Sequence, residues 1–197
     1  TFIEVVRHPL YMVIQQTLNM ERLYAKSDPR DIQIYYEYNK KELPYFCVGW
    51  EDDFLKSNNV EKAILSISHA TRANDLLKER LKSEQANSNL LTIPFEEFVL
   101  SPEPFISNIT NLLGTETTGK TNKVLKNQNV PRKKASEGIP LEIYKRCGWE
   151  PSEKNLSERE ELDKRRDWIR EMGASKDALA IIDLLSENYE RNYNYSP

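Results

Sequence analysis

Apolar residues along this chain follow two different rhythms. From Phe2 to Val6 they run almost unbroken, with only Glu4 between Phe2, Ile3, Val5 and Val6. That is the pattern of a strand covered on both faces in a parallel sheet. After Arg7 and His8 the rhythm becomes helical: Leu10, Val13, Ile14, Thr17 and Leu18 fall on one face, and Pro9 stands at a first helical position, where its missing N–H costs nothing. The opening therefore predicts strand, turn and helix, with Arg7 and His8 in the turn.

The later elements follow from the same reasoning. Residues 27–56 change character: "SDPRD" is a turn, and "IQIYYEYNKKELPYFCVGW" alternates loosely around "NKKELP". An irregular hairpin or lid-like insertion is expected there. Asn58 with Glu61 three residues on is a capping box, and Val60, Ile64, Ile67, Ala70, Leu77 and Leu81 mark the buried face of a helix ending near Gln85. "LLTI" at Leu90–Ile93 is a second short buried strand, followed by an acidic turn at Glu96 and Glu97. Ser101 and Pro102 read as cap and first residue of a helix carrying Phe105, Ile109, Leu112 and Leu113, closed by Gly114. A short helical stretch around Val124 and Leu125 leads into "NVPRKKASEG". Two helices finish the chain: one opened by the Ser157/Glu160 capping box and broken at Gly173, with Trp168, Ile169 and Met172 docked, and one capped by Ser175, with Leu179, Ile182, Leu185 (or Ile181) and Tyr189 inward.

Composition narrows the class. The 197 residues suit one domain or a core with an appendage, and 39% hydrophobic content is enough for a core. A 30% charged fraction and mean hydropathy of −0.69 predict a soluble protein. The net charge of −3 implies no general polyanion-binding surface, so an anion site must be local. No apolar stretch approaches the roughly 20 residues of a membrane helix, and Arg7 interrupts any signal-peptide core. Cys47 and Cys147 match no metal spacing or disulfide framework, which makes a reducing, cytoplasmic setting the default while leaving one long-range disulfide open. A strand at Phe2 with no Met before it reads as the later part of a longer protein.

Four features carry candidate chemistry. Arg7 sits where a parallel strand ends and a helix begins, the crevice in which α/β proteins bind ligands; a helix N-terminus and a planar guanidinium there make an anion pocket. Arg132, Lys133 and Lys134, between Pro131 and Gly138, form a second basic cluster, which taken alone is a solvated loop. "GTETTGKT" matches the Walker spacing of Gly114 with Gly119, Lys120 and Thr121, but a phosphate loop needs a strand before it and a helix is expected there. The Tyr-rich stretch (Tyr35, Tyr36, Tyr38, Tyr45, with Phe46 and Trp50) suits either stacking on an acceptor or packing on the domain. His8 is expected to cap or hydrogen-bond locally, His69 to be a neutral histidine on a half-buried helix face, and Glu96 and Glu97 to serve a helix dipole or loop.

Taken together, "VVRHPLYMVIQQ", "LLTIPFEEFVLSPEPFISNITNLLG" and "VPRKKASEG" resemble, in order and spacing, blocks of the sulfotransferases that use 3′-phosphoadenosine 5′-phosphosulfate (PAPS) as sulfuryl donor. The resemblance covers residues 1 to about 138. It implies an α/β fold, a helix-rich three-layer parallel sheet of the P-loop nucleotide-binding type, lacking its first strand–loop–helix. The sulfotransferase-like domain would span 1–150 with its insertion at 27–56, and 151–197 would be a helical extension packed on it. On this resemblance Arg7 grips the 3′-phosphate of PAPS or of adenosine 3′,5′-bisphosphate, Arg132 and Lys133 grip it from a closing loop ending at Gly138, and Gln15 occupies the place of the family's serine eight residues after the arginine. Lys134 stands where a glycine usually follows Arg-Lys. The family's lysine-bearing phosphosulfate loop and its catalytic base lie ahead of the arginine motif. Both are therefore expected upstream of Thr1, and no residue of this chain is assigned as catalytic. The implied reaction is sulfuryl transfer to a hydroxyl or amine of a carbohydrate or small molecule, without metal, nucleic acid or a membrane segment in this chain; a Golgi-lumenal setting applies if an upstream anchor exists. The competing readings are a nucleotide kinase or NTPase working through "GTETTGKT", and a non-catalytic helical interaction module. For the second of these the discriminator is convergence: Arg7 and the 132–134 cluster must meet if they share a ligand.

Overall fold

The computed structural model describes residues 1–23, 34–83, 90–137, 145, 148–150 and 156–197. Two strands, β1 (Phe2–Val6) and β4 (Leu90–Pro94), pair in parallel with Phe2 opposite Leu90 and Val6 opposite Pro94. A separate antiparallel hairpin joins β2 (Tyr35–Tyr38) to β3 (Lys41–Pro44). The helices are α1 (Pro9–Arg22), α2 (Glu51–Lys56), α3 (Asn59–Ser83), α4 (Phe95–Leu100), α5 (Glu103–Leu113), α6 (Gly119–Asn127), α7 (Glu158–Glu171) and α8 (Lys176–Asn192). The fold is thus α/β and rich in helix, with a small parallel sheet. Among the described residues that sheet has two strands, so the expected cover on both faces is not seen: Phe2 is 59% and Val5 61% exposed.

The main core lies between helices rather than on the sheet. Val13, Ile14 and Leu18 of α1 meet Val60, Ala63, Ile64 and Ile67 of α3, and Leu162, Ile169 and Ile182 of α7 and α8 close over them. The spacing of these apolar residues is what the helical period requires for one buried stripe. The stripe stops early on α3. Ile67 is buried, whereas Ala70 and Leu77, expected inside, are exposed. The helix runs on past the elements that cover its first half.

The described part of the insertion, residues 34–56, is anchored as a structural unit, while its expected "SDPRD" turn lies outside the described residues. Trp50 is buried, stacks on His69 of α3 with ring centroids 4.8 Å apart and donates its indole N–H to the Phe46 carbonyl. Phe54 packs edge-on against Trp50 and Phe46. Tyr36 donates to Glu51 and Tyr38 to Asp52. Of the two uses foreseen for these aromatics, packing accounts for Tyr36, Phe46 and Trp50, while Tyr45 stays exposed. Burial lowers the His69 pKa, in keeping with a neutral ring. Cys47 is buried beneath, its thiol pushed up to about 12, chiefly by burial. The other cysteine, Cys147, lies outside the described residues.

Both expected capping boxes form. Ser157 Oγ accepts from Glu160 N while Glu160 accepts from Ser157 N; Asn58 and Glu61 do the same for α3. The Asn58 pair has a further duty, because Asn58 Nδ2 donates to the Gly173 carbonyl and Glu61 accepts from Ser175 N. It therefore pins the α7–α8 turn to the start of α3. Ser157→Ala should cost about 1 kcal/mol, the usual value of a cap, and Asn58→Ala more, because a tertiary bond goes with it. Urea unfolding of both variants checks the order. One expected cap differs: Pro102, not Ser101, stands at the start of α5, and Ser101 closes α4 instead. The acidic turn foreseen at Glu96 and Glu97 is the first turn of that short helix.

Candidate anion-binding site

The loop after α6 is held by its backbone. Val130 N donates to the Leu125 carbonyl, Arg132 N to the Val99 carbonyl at the end of α4, and Ala135 N to Glu158 of α7. Val99, Val130 and Ala135 form a second small core against Phe95, Phe98 and Leu125. These bonds carry Arg132 back to the start of α4. There Phe95 lies between the two basic segments of the chain. The Arg7 Cζ is 4.8 Å from the Phe95 ring centroid and the Arg132 Cζ 5.6 Å from it. Arg7 is also 5.5 Å from the ring of Tyr11. Such cation–π contacts favour a desolvated guanidinium.

The two arginines feel each other. Burial in the first place, and the Arg7 charge in the second, hold Arg132 below its ordinary pKa. Its Nε is buried and makes no hydrogen bond among the described residues; an Nη donates to the Ala135 carbonyl. Like charges brought together in part-buried surroundings cost energy that a bound anion relieves.

Behind Arg7 stands Glu96, which is 1% exposed. Its Oε1 is 3.7 Å from Arg7 Nε. Both of its oxygens lie 3.2 Å from His8 N, and Oε2 accepts from the Tyr189 hydroxyl at 2.5 Å. Burial raises its pKa, and the hydrogen bonds and Arg7 oppose that. The reading of Glu96 as a local loop carboxylate is therefore too modest: its partners lie 88 and 93 residues away in sequence. One acidic residue of the adjacent pair in "PFEEF" looks like the other in sequence and gives no sign of this.

His8 behaves as a cap. Its Nδ1 accepts from Leu10 N at 3.3 Å, which leaves the ring proton on Nε2, 3.5 Å from Glu190 Oε1. Tyr11, Tyr189 and Tyr195 surround the ring. The N–H groups expected to face an anion at the start of α1 are thereby committed: Leu10 N and Tyr11 N bond to His8, and His8 N to Glu96. An anion at this place would meet the guanidinium groups instead of the helix end.

The other sequence candidates fall less closely together. Lys133 is exposed, and its backbone N bonds to Glu137. Lys134 reaches the Leu156 carbonyl. Gln15 is half-buried on α1 and its amide donates to Asn19 one turn on. Gly138 lies outside the described residues. Thr1, ahead of which the resemblance places the catalytic base, is an exposed residue leading directly into β1. In "GTETTGKT", α5 and not a strand precedes the loop, and the Thr121 hydroxyl accepts from Thr118 N in the capping box of α6. Arg7 also lines an open groove of about 630 Å³ between β1, α3 and α8, walled by Met12, Asp75, Asn188 and Tyr193 among others; its size falls in the range of ligand sites. Among the described residues no cluster of metal-ligating side chains assembles, and no helix is long and apolar enough to cross a membrane. Compared with known proteins, the chain has no match: no family model, curated protein or solved structure aligns with it.

Proposed function

We propose that this chain carries the 3′-phosphate-binding part of a sulfotransferase-like enzyme. The observation that supports this reading is the meeting of Arg7 and Arg132 at Phe95 across 125 positions of sequence, an arrangement with two positive charges, a buried Arg132 Nε without a hydrogen-bond partner among the described residues, and an aromatic face. A nucleotide 3′-phosphate carries up to two negative charges and presents pairs of oxygens that the planar guanidinium fork can bind two at a time. PAPS supplies the sulfuryl group in such a reaction. Arg7 and Arg132 would hold its phosphate end, with Lys133 on the rim contributing attraction at longer range. Sulfuryl transfer depends on positioning and on charge stabilisation much as phosphoryl transfer does, so fixing the far end of the donor is the contribution of these residues to rate.

The competing readings have less support. A kinase or NTPase working through "GTETTGKT" needs a strand where α5 lies. A plain interaction module gives no reason for two cations to share one ring.

Calorimetric titration with adenosine 3′,5′-bisphosphate tests the proposal, with adenosine 5′-monophosphate as control. Arg7→Ala should weaken the bisphosphate by about 2 kcal/mol, the loss of a charge-assisted bond, and Arg132→Ala by a comparable amount. The monophosphate should be affected less. An unchanged bisphosphate affinity in Arg7→Ala removes the assignment.

A further inference from the structure

We infer that Tyr189, on the C-terminal helix, is a positioning residue for Arg7, acting through Glu96. This rests on the reading of Arg7 as an anion-binding residue. The chain of contacts is short and buried. Tyr189 is 6% exposed and donates to Glu96 Oε2 at 2.5 Å; His8 N lies 3.2 Å from both oxygens; Glu96 Oε1 then stands 3.7 Å from Arg7 Nε. A carboxylate at the end of a flexible side chain can turn about its last torsion. The Tyr189 hydroxyl fixes which oxygen faces away from Arg7 and so which one faces it. The Tyr189 ring is itself held, edge-on to His8 at 5.3 Å, tilted on Tyr193 at 4.9 Å and edge-on to Tyr195 at 6.0 Å. On its other side Arg7 lies over Phe95. The guanidinium is thus gripped between a ring and a braced carboxylate, and α8 belongs to the site although it touches no anion. Groups that orient metal-binding side chains from behind commonly change affinity by about tenfold or more when lost, and the same scale is expected for Arg7.

The test uses the full chain and two readouts. Tyr189→Phe deletes one oxygen and keeps the ring. Its affinity for adenosine 3′,5′-bisphosphate should fall about tenfold, with adenosine 5′-monophosphate changed much less. In the ligand-free protein, the Arg7 Nε–H resonance should move and exchange faster with solvent. A merely structural role lowers the melting temperature while leaving that resonance and the ratio of the two affinities unchanged, and that result overturns the inference. If Tyr189→Phe does not fold, Glu96→Gln keeps the shape and removes the charge, and the same shift in the Arg7 resonance is expected. Should wild type bind the two nucleotides equally, the anion-site reading falls, whereas the Arg7 resonance still decides whether Tyr189 and Glu96 hold that side chain.

Discussion

Glu96→Ala is expected to destabilise the protein by about 3 kcal/mol or more, the usual cost of breaking a buried, hydrogen-bonded charge cluster by removing one partner. The carboxylate is 1% exposed, and its loss leaves the Tyr189 hydroxyl and the His8 N–H without their acceptor in the interior. Each buried group left unsatisfied costs about 1–3 kcal/mol. The ion pair with Arg7 adds little, because that side chain is 38% exposed and the gap is 3.7 Å. The effect extends beyond α4, since Glu96 is where β1, α1, α4 and α8 are tied together. Glu96→Gln should lose less: its carbonyl oxygen can still accept from Tyr189, but its NH2 offers His8 N no acceptor. Guanidinium unfolding curves of the three proteins check the order. A Glu96→Ala variant within about 1 kcal/mol of wild type shows that Tyr189 and His8 find other acceptors.

What can be read from the sequence is mostly local. The Ser157/Glu160 and Asn58/Glu61 boxes, the Ser175 cap, the Gly114 and Gly173 helix ends and the strand–turn–helix opening all depend on residues within a few positions of each other, where spacing alone fixes geometry. Burial is less legible. Leu77 has the spacing of a core residue but needs a covering element, and none of the described ones reaches it. Phe2 and Val5 have the composition of a strand covered on both sides, and a two-stranded sheet does not supply that cover. The candidate site is half legible. Arg7 and Arg132 stand out as cations beside turn-formers. Phe95, the ring that both arginines meet, looks like an ordinary strand-end aromatic, and Glu96 like a carboxylate serving a helix dipole or its own loop. Their roles come from tertiary pairing of β1 with β4 and from the backbone bonds that carry the 130–137 loop to Val99 and Glu158, and neither leaves a periodic trace.

Acid is expected to weaken the fold between pH 6.5 and 4 through His8, by up to about 3 kcal/mol, since each pKa unit is worth about 1.36 kcal/mol. The ring is fully buried, and burial lowers its pKa from 6.5 to about 4; the Glu190 carboxylate partly offsets this, while Arg159 and Arg165 add to it. The unfolded chain therefore binds a proton in that interval and the folded one does not. Stability from this group is complete above pH 6.5 and is lost as pH falls toward 4. The geometry gives the same answer: Nδ1 is the acceptor that caps α1 through Leu10 N, and a protonated ring turns that acceptor into a second donor. Glu96 works in the opposite sense. Its raised pKa means that the folded state takes up that proton first, so acidification through its range returns some stability. The carboxylates with lowered pKa, Glu51, Glu61 and Glu160, reinforce the loss only below about pH 4.5, the ordinary range of a glutamate. The two signs separate in a comparison of wild type with His8→Gln, measured by urea unfolding at about pH 7, 5.5 and 4.5, values chosen to bracket the ordinary histidine range. Wild type should lose stability steadily over those steps, and the variant, weaker at neutral pH for want of the cap, should show a much flatter profile. Parallel profiles for the two proteins mean that His8 accepts its proton in the folded state, with Glu190 as the partner that stabilises it.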